Sequence, residues 1–183
     1  MNNSKKKLNV ENLYDMLQDR GCEIPENFIK SINEMLGRNS SYNDVRTEDG
    51  NELKINFIYP KNKKYKLESY FATKRNIVNI LMGENEPTII AKYKNPNTFH
   101  KSDFGFNATK HILVPKHEKV NVSGQLLDLF LESTKIQKLD QLPILLTTDP
   151  ISKYYGFVEG TVCKITRPSY ISYRYVMEPE FTG

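Results

Sequence analysis

The 183-residue sequence predicts an α+β protein in two parts, and three observations carry that expectation. Segments whose apolar residues follow helical spacing are interleaved with segments that alternate apolar and polar, so helices and strands share the chain. Asp49-Gly50, Glu159-Gly160 and Pro168-Ser169 are turn signals beside alternating runs. Val114-Pro115 marks a break, because the residue before a proline is held out of the helical region. The expected organisation is a small α/β domain over residues 1-110, followed by a compact α+β module over residues 111-183.

Composition bounds what such a chain can do. Hydrophobic residues make up 38% and aromatic residues 11%, enough for a core. Lysine and arginine number 26 against 22 acidic residues, a formal charge of +4. That mild excess permits contact with nucleic acid without requiring it. Cys22 and Cys163 are the two cysteines, too few for a disulfide framework, so a reducing compartment is expected. The polar start Met1-Asn2-Asn3-Ser4-Lys5-Lys6-Lys7 is not followed by the apolar stretch of a signal peptide. No apolar run approaches the ~20 residues of a membrane helix, so no membrane partner is expected.

Val10, Leu13, Tyr14 and Leu17 fall on one helical face, and Gly21 after Arg20 supplies a stop. Pro25 suits the start of a second helix with Phe28, Ile32, Met35 and Leu36 on its apolar side and Gly37 at its end. Two short helices at an N-terminus usually pack on something larger. Asp49-Gly50 predicts a hairpin leading into Leu53, Ile55, Phe57 and Tyr59, a strand with one buried face that Pro60 ends. Lys61 to Lys66 is a basic loop. Leu67, Tyr70, Phe71, Ile77, Val78 and Leu81 then predict a helix closed by Gly83, and Thr88 to Tyr93 a short strand. That order favours an α/β layer with some parallel pairing. A further strand is expected near Phe106 to Val114.

In the C-terminal part, Ser123 is a candidate N-cap for a helix bearing Leu126, Leu127, Phe130 and Leu131. Asp149-Pro150 is a second cap with a first-turn proline, and Gly156 its stop. Thr161 to Arg167 and Tyr170 to Met177 alternate and are rich in β-branched and aromatic residues, which predicts an antiparallel pair. Tyr154 and Tyr155 point about 100° apart on a helix, so one of them stays partly exposed.

No catalytic set emerges. His100, His111 and His117 and the two cysteines lack metal-ligand spacing, so no metal, cofactor or small-molecule substrate is expected. Asp49 with Glu52-Leu53-Lys54 resembles the carboxylate-and-lysine core of a metal-dependent nuclease, in which acids hold Mg²⁺ and the lysine steadies a water. The spacing is tight for that role. Asp49 is also what an Asp-Gly turn needs, and Lys54 is an outward strand position.

One ordered series of residues is more specific. Leu113-Val114-Pro115-Lys116-His117, Gln141-Leu142-Pro143, Asp149-Pro150, Tyr154-Tyr155-Gly156, Gly160, Val162, Lys164-Ile165, Arg167-Pro168-Ser169 and Tyr173-Arg174 resemble, in order, the fifth subunit shared by eukaryotic nuclear RNA polymerases, a family that also has an archaeal counterpart. Met16 to Gly21 and Lys94-Asn95-Pro96-Asn97 add a fainter N-terminal match. The resemblance implies a non-catalytic subunit of a multisubunit DNA-dependent RNA polymerase. Its C-terminal assembly module would dock on the largest subunit among the polymerase subunits. Its N-terminal domain would form part of a jaw beside downstream double-stranded DNA, held weakly and without sequence preference.

For docking, the expected residues are Lys116, Tyr155, Lys164, Arg167 and Tyr173. For the DNA-facing loop they are Lys92, Lys94, Asn95, Pro96 and Asn97. Two departures from the family stand out: Ser169 runs straight into Tyr170, which implies a clipped hairpin, and the N-terminal domain is short. With the Asn/Lys-rich composition they point to a viral version; the expected place is intracellular, the nucleus, or a cytoplasmic virus factory or virion if the chain is viral. The competing functions are the nuclease built on Asp49, Glu52 and Lys54, and a free DNA-binding regulator.

Overall fold

Helical spacing at the start of the chain becomes a helix, α1 (Val10–Asp19), whose Val10, Leu13, Met16 and Leu17 are buried. The Asn9 side chain caps it by accepting from the amides of Glu11 and Asn12 at 3.0 and 3.2 Å, which satisfies two of the donors a helix start leaves open. Gly21, at φ +73°, ends it; the Cys22 amide returns to the Leu17 carbonyl at 3.0 Å. Leu13, Met16 and Leu17 have no exposed surface, and each contributes up to about 2–3 kcal/mol of apolar burial. A second helix, α2 (Phe28–Met35), buries Phe28 and Ile32. The computed structural model describes residues 7–59, 76–83 and 97–179. It divides into two units, Met1–Asn107 and Ala108–Gly183.

The first unit is built on a four-stranded sheet in the order β1 (Ser40–Arg46), β2 (Glu52–Ile58), β3 (Ile77–Leu81), β4 (Thr98–His100). β1 and β2 form the hairpin expected at Asp49-Gly50, with Gly50 at φ +76°. β3 and β4 then add in parallel. The helix expected to end at Leu81 is not what forms, because Ile77–Leu81 is a strand. β-branched Ile77 and Val78 suit a strand, and a central parallel strand reads as the same apolar run that a buried helix would. The start of that expected helix and the strand expected at Thr88 to Tyr93 lie outside the described residues.

β2 also differs from its one-faced expectation: Asn56 and Ile58 are buried as well as Leu53, Ile55 and Phe57. Residues directly opposite on paired strands share a face. On one side Tyr42, Ile55 and Val78 align, and Phe28 of α2 meets Tyr42 edge-on at 5.3 Å. On the other side Ser41, Asn56, Asn79 and Thr98 line up across all four strands. Ser41 donates to Asn56 Oδ1 at 2.7 Å, and Asn56 Nδ2 donates to Asn79 Oδ1 at 3.0 Å. Asn79 and Thr98 are completely buried. This polar ladder fixes register, since a slip of one residue would carry its amides to the apolar face.

The second unit is a mixed sheet in the order β5 (Lys116–Val120), β7 (Val162–Thr166), β8 (Ile171–Met177), β6 (Ile144–Leu146). β5 and β8 pair antiparallel with β7, and β6 runs parallel to β8. Two helices accompany it, α3 (Gln125–Thr134) and α4 (Pro150–Tyr155). The cap at Asp149 forms as expected, accepting from the Ile151 amide at 2.8 Å, and Gly156 closes α4 at φ +66°. Ser123 does not cap α3; the cap position is Gly124 at φ +57°, and the Ser123 hydroxyl donates to Asn121 instead. The strand expected near Phe106 to Val114 is absent. That stretch holds a 3-10 turn at Ala108–Lys110, and the strand starts only at Lys116, beyond Pro115.

Asn79→Leu leaves the Asn56 amide without its acceptor in the buried ladder, so a loss of roughly 1–3 kcal/mol is expected in urea unfolding of the full chain. An unchanged midpoint would remove the ladder from the account of this sheet.

Candidate docking face and its relatives

Alternation along β7 and β8 gives the second sheet two unlike faces. Cys163, Ile165 and Val176 point to one side and join Leu145 and Phe157 in a closed core against which Tyr155 packs. Lys164, Tyr173 and Tyr175 point to the other side, because Lys164 lies opposite Tyr173 and Val162 opposite Tyr175. β5 brings Lys116 and Glu118 to that same side, and β6 brings Ile144 and Leu146. α3 lies over it through Phe130, which meets the Tyr173 ring edge-on at 5.0 Å.

This second face is incompletely covered. Ile144, Leu146 and Ile171 are 51%, 42% and 52% exposed. α3 has no buried residue at all, and its Leu126 and Leu129 are 51% and 61% exposed. An amphipathic helix with an unburied apolar side, beside apolar sheet positions open to water, has the character of an interaction surface. Its charged part is a small cluster. Lys116 and Glu118 are paired at 2.7 Å, and Lys164 stands opposite Glu118. The Lys116 hydrogen bond, aided by Lys164, holds the Glu118 carboxyl below its ordinary range.

Of the five residues expected to dock, the structure gathers Lys116, Lys164 and Tyr173 on this open face. Tyr155 is on the opposite side, stacked on Phe157 at 5.4 Å and packed on the core. Arg167 is at the hairpin tip. It donates to Ser172 Oγ at 3.1 Å and lies over the Tyr170 ring at 5.2 Å. The tip is a tight turn closed by the Arg167 amide on the Tyr170 carbonyl at 2.9 Å, in keeping with the direct run from Ser169 to Tyr170. Leu126, Leu129, Ile144 and Ile171 are not among the expected docking residues. Leu126 is on the expected apolar side of its helix, but periodicity alone cannot say whether such a side is covered within the chain or by a partner.

The remaining candidates separate differently. Lys92, Lys94, Asn95 and Pro96 lie outside the described residues. Asn97 is inside them, and its side chain accepts from Arg20 at 3.3 Å. Asp49, Glu52 and Lys54 are each exposed on the first hairpin, and no group of three or more metal-ligating side chains occurs among the described residues. The buried polar side chains of that sheet are instead Asn56, Asn79, Thr98 and His100, which include no carboxylate.

Both cysteines are free, and burial pushes the Cys163 thiol up to about 11, far from a nucleophile. His100 is buried between Ser102 Oγ at 2.6 Å and the Gly83 carbonyl at 2.8 Å, and the His117 ring donates to the Pro115 carbonyl at 2.7 Å. No helix among the described residues is long and apolar enough to cross a membrane.

The feature that this geometry defines is a half-covered sheet face in the C-terminal unit, carrying both apolar and charged side chains. Comparison with known proteins finds its relatives among RNA polymerase subunits, over the C-terminal unit. Residues 106–177 match the family described as RNA polymerase Rpb5, C-terminal domain. Over 78 residues the chain is 38% identical to the DNA-directed RNA polymerases I, II, and III subunit rpabc1 of Dictyostelium discoideum, covering 43% of this chain and 38% of that protein. It is 36% identical over 83 residues to the RNA polymerases IV and V subunit 5B of Arabidopsis thaliana, covering 43% and 37%. It is 37% identical over 84 residues to the RPABC1 subunit of Caenorhabditis elegans, covering 43% and 38%. The resemblance to the fifth shared polymerase subunit is therefore borne out across the C-terminal unit, although the chain spans less than two fifths of the length of these relatives.

His117 offers a test of the closed side of the sheet. Burial holds its imidazole below the ordinary 6.5, against the upward pull of the Pro115 carbonyl and Asp149 and with the downward push of Arg167 and Arg174. The unfolded chain then binds the proton more readily, so this contribution to stability is complete above pH 6.5 and lost as pH falls from there through the folded value. His117→Gln should flatten that acid-side loss in urea midpoints measured from pH 7.5 to 5. An identical slope in the variant would contradict the assignment.

Proposed function

We propose that the chain is a non-catalytic subunit of a multisubunit DNA-dependent RNA polymerase, docked through its C-terminal unit on the largest subunit. One observation carries the reading: the sheet side that holds Lys116, Lys164 and Tyr173 leaves Ile144, Leu146 and Ile171 exposed, and α3, seated there through Phe130, leaves Leu126 and Leu129 exposed as well. Its relatives are named as polymerase subunits, which supplies the kind of partner such a face needs. Lys116, Lys164 and Tyr173 dock directly in this reading. Arg167 presents the hairpin tip, and Tyr155 supports the sheet from behind. The N-terminal unit is the jaw-type domain, and Lys92, Lys94, Asn95, Pro96 and Asn97 form the loop that faces downstream DNA through its phosphates. Work in the nucleus, or in a virus factory if the chain is viral, follows from the same reading.

Leu129→Glu puts a charge on the exposed side of α3 and should cut recovery of the large polymerase subunits by at least ~10-fold, about 1.4 kcal/mol. Lys164→Glu and Arg167→Glu should do so by a smaller factor, and each variant should keep its circular dichroism and melting temperature. Tyr155→Ala should instead lower the melting temperature, because its contacts are within the core. Wild-type recovery with Leu129→Glu would overturn the docking reading. Recovery of the chain alone, with Mg²⁺-dependent DNA cleavage lost on Glu52→Ala, would favour the nuclease.

Neutralising Lys92 and Lys94 together should reduce the slope of log affinity for downstream duplex against log salt by about 1–2. An unchanged slope would remove this loop from the DNA-facing side.

A further inference from the structure

The second sheet has two edges, and they are treated differently. At β6 the outward carbonyls are occupied. Arg174 Nη1 donates to the Ile144 carbonyl at 3.0 Å, and the Asp149 amide donates to the Leu146 carbonyl at 3.0 Å. Pro143 stands just before that strand and accepts from Tyr175. The carbonyls of this edge are thus capped by the chain itself.

At β5 the pattern of hydrogen bonds shows what is left over. The Arg167 amide bonds Tyr170 and the Val176 amide bonds Thr161, so residues 161, 163, 165 and 167 of β7 face β8. Residues 162, 164 and 166 therefore face β5, where they meet Val120, Glu118 and Lys116. The amides and carbonyls of His117 and Lys119 must then point away from the sheet. Among the described residues no backbone group bonds to them. The chain entering this edge passes Ile112 and Leu113, which are 95% and 81% exposed.

We propose that β5 is completed by an extended acidic segment of the polymerase partner, which adds as a fifth strand along His117 and Lys119. This rests on the docking reading and specifies its mode. The choice of partner comes from charge. Lys116 and Lys119 stand on the edge strand and Lys164 on the strand behind it, against Glu118 alone, which pairs with Lys116 at 2.7 Å and leaves a net positive edge. Burial keeps the His117 imidazole toward its neutral form. Lysines on an edge repel basic strands and make burial of an apolar one costly. A strand with a carboxylate on each face meets Lys116, with Lys164 behind it, on one face and Lys119 on the other, while its backbone satisfies the open groups.

The test uses the full chain, free and in the polymerase purified through a tag on this chain. In the assembled polymerase, the His117 and Lys119 amides should exchange about 100-fold more slowly than in the free chain. Carbodiimide should join Lys116 or Lys119 to an aspartate or glutamate of a partner subunit. Lys119→Pro removes both the outward amide, which an edge strand tolerates losing, and the Lys119 charge, whereas Lys119→Gln removes the charge alone. Lys119→Pro should lower recovery of the large subunits ~10-fold, and more than Lys119→Gln, with the melting temperature unchanged. If the large subunits are recovered but these amides exchange as in the free chain, strand addition is overturned and the docking reading stands. Protection without any carbodiimide link overturns the acidic partner. Failure to recover the large subunits at all overturns both.

Discussion

The pairing of β7 with β8 sets everything else in the C-terminal unit. With Cys163 opposite Arg174 and Lys164 opposite Tyr173, side chains of period two are sorted onto opposite faces. Cys163, Ile165 and Val176 become a core with Leu145 and Phe157. Lys164, Tyr173 and Tyr175 become a face that the chain does not close. A slip of one residue would bury Lys164 and expose Ile165, so the same constraint specifies both stability and the surface presented to a partner.

The two units solve the problem of buried polar groups in different ways. In the first, neutral amides cross the sheet as the ladder Ser41, Asn56 and Asn79, each hydrogen-bonded to the next. In the second, charge stays at the rim, where Lys116, Glu118 and Lys164 remain in contact with water. Neither arrangement gathers a base, a nucleophile and an anion-binding group in one place.

Much of this is legible where a turn or cap has its own chemistry. Asp149-Pro150 with Gly156 predicts α4, and Asp49-Gly50 predicts the first hairpin, because each needs particular side chains at particular backbone angles. Ile77 to Leu81 reads as a helix in sequence because a buried parallel strand has no alternation to distinguish it from one. Ser123 fails as a cap because its hydroxyl finds Asn121 and leaves Gly124 in that position. For the site, the motif series leads to Lys116, Lys164 and Tyr173, which do share a face. Leu129 and Ile144 escape it, since apolar periodicity reports a face that wants cover and not who provides it. Tyr155 stands out by its motif, yet its neighbours Phe157 and the core decide its role.

In the proposed assembly, the face carrying α3 is open in the free chain and closed in the polymerase. Maleimide labelling of Leu129→Cys, in the free chain and in the purified assembly, tests it directly, with half-buried Cys22 and buried Cys163 as internal references. The account predicts rapid labelling in the free chain and at least ~10-fold slower labelling in the assembly. Equal rates in the two states would contradict it.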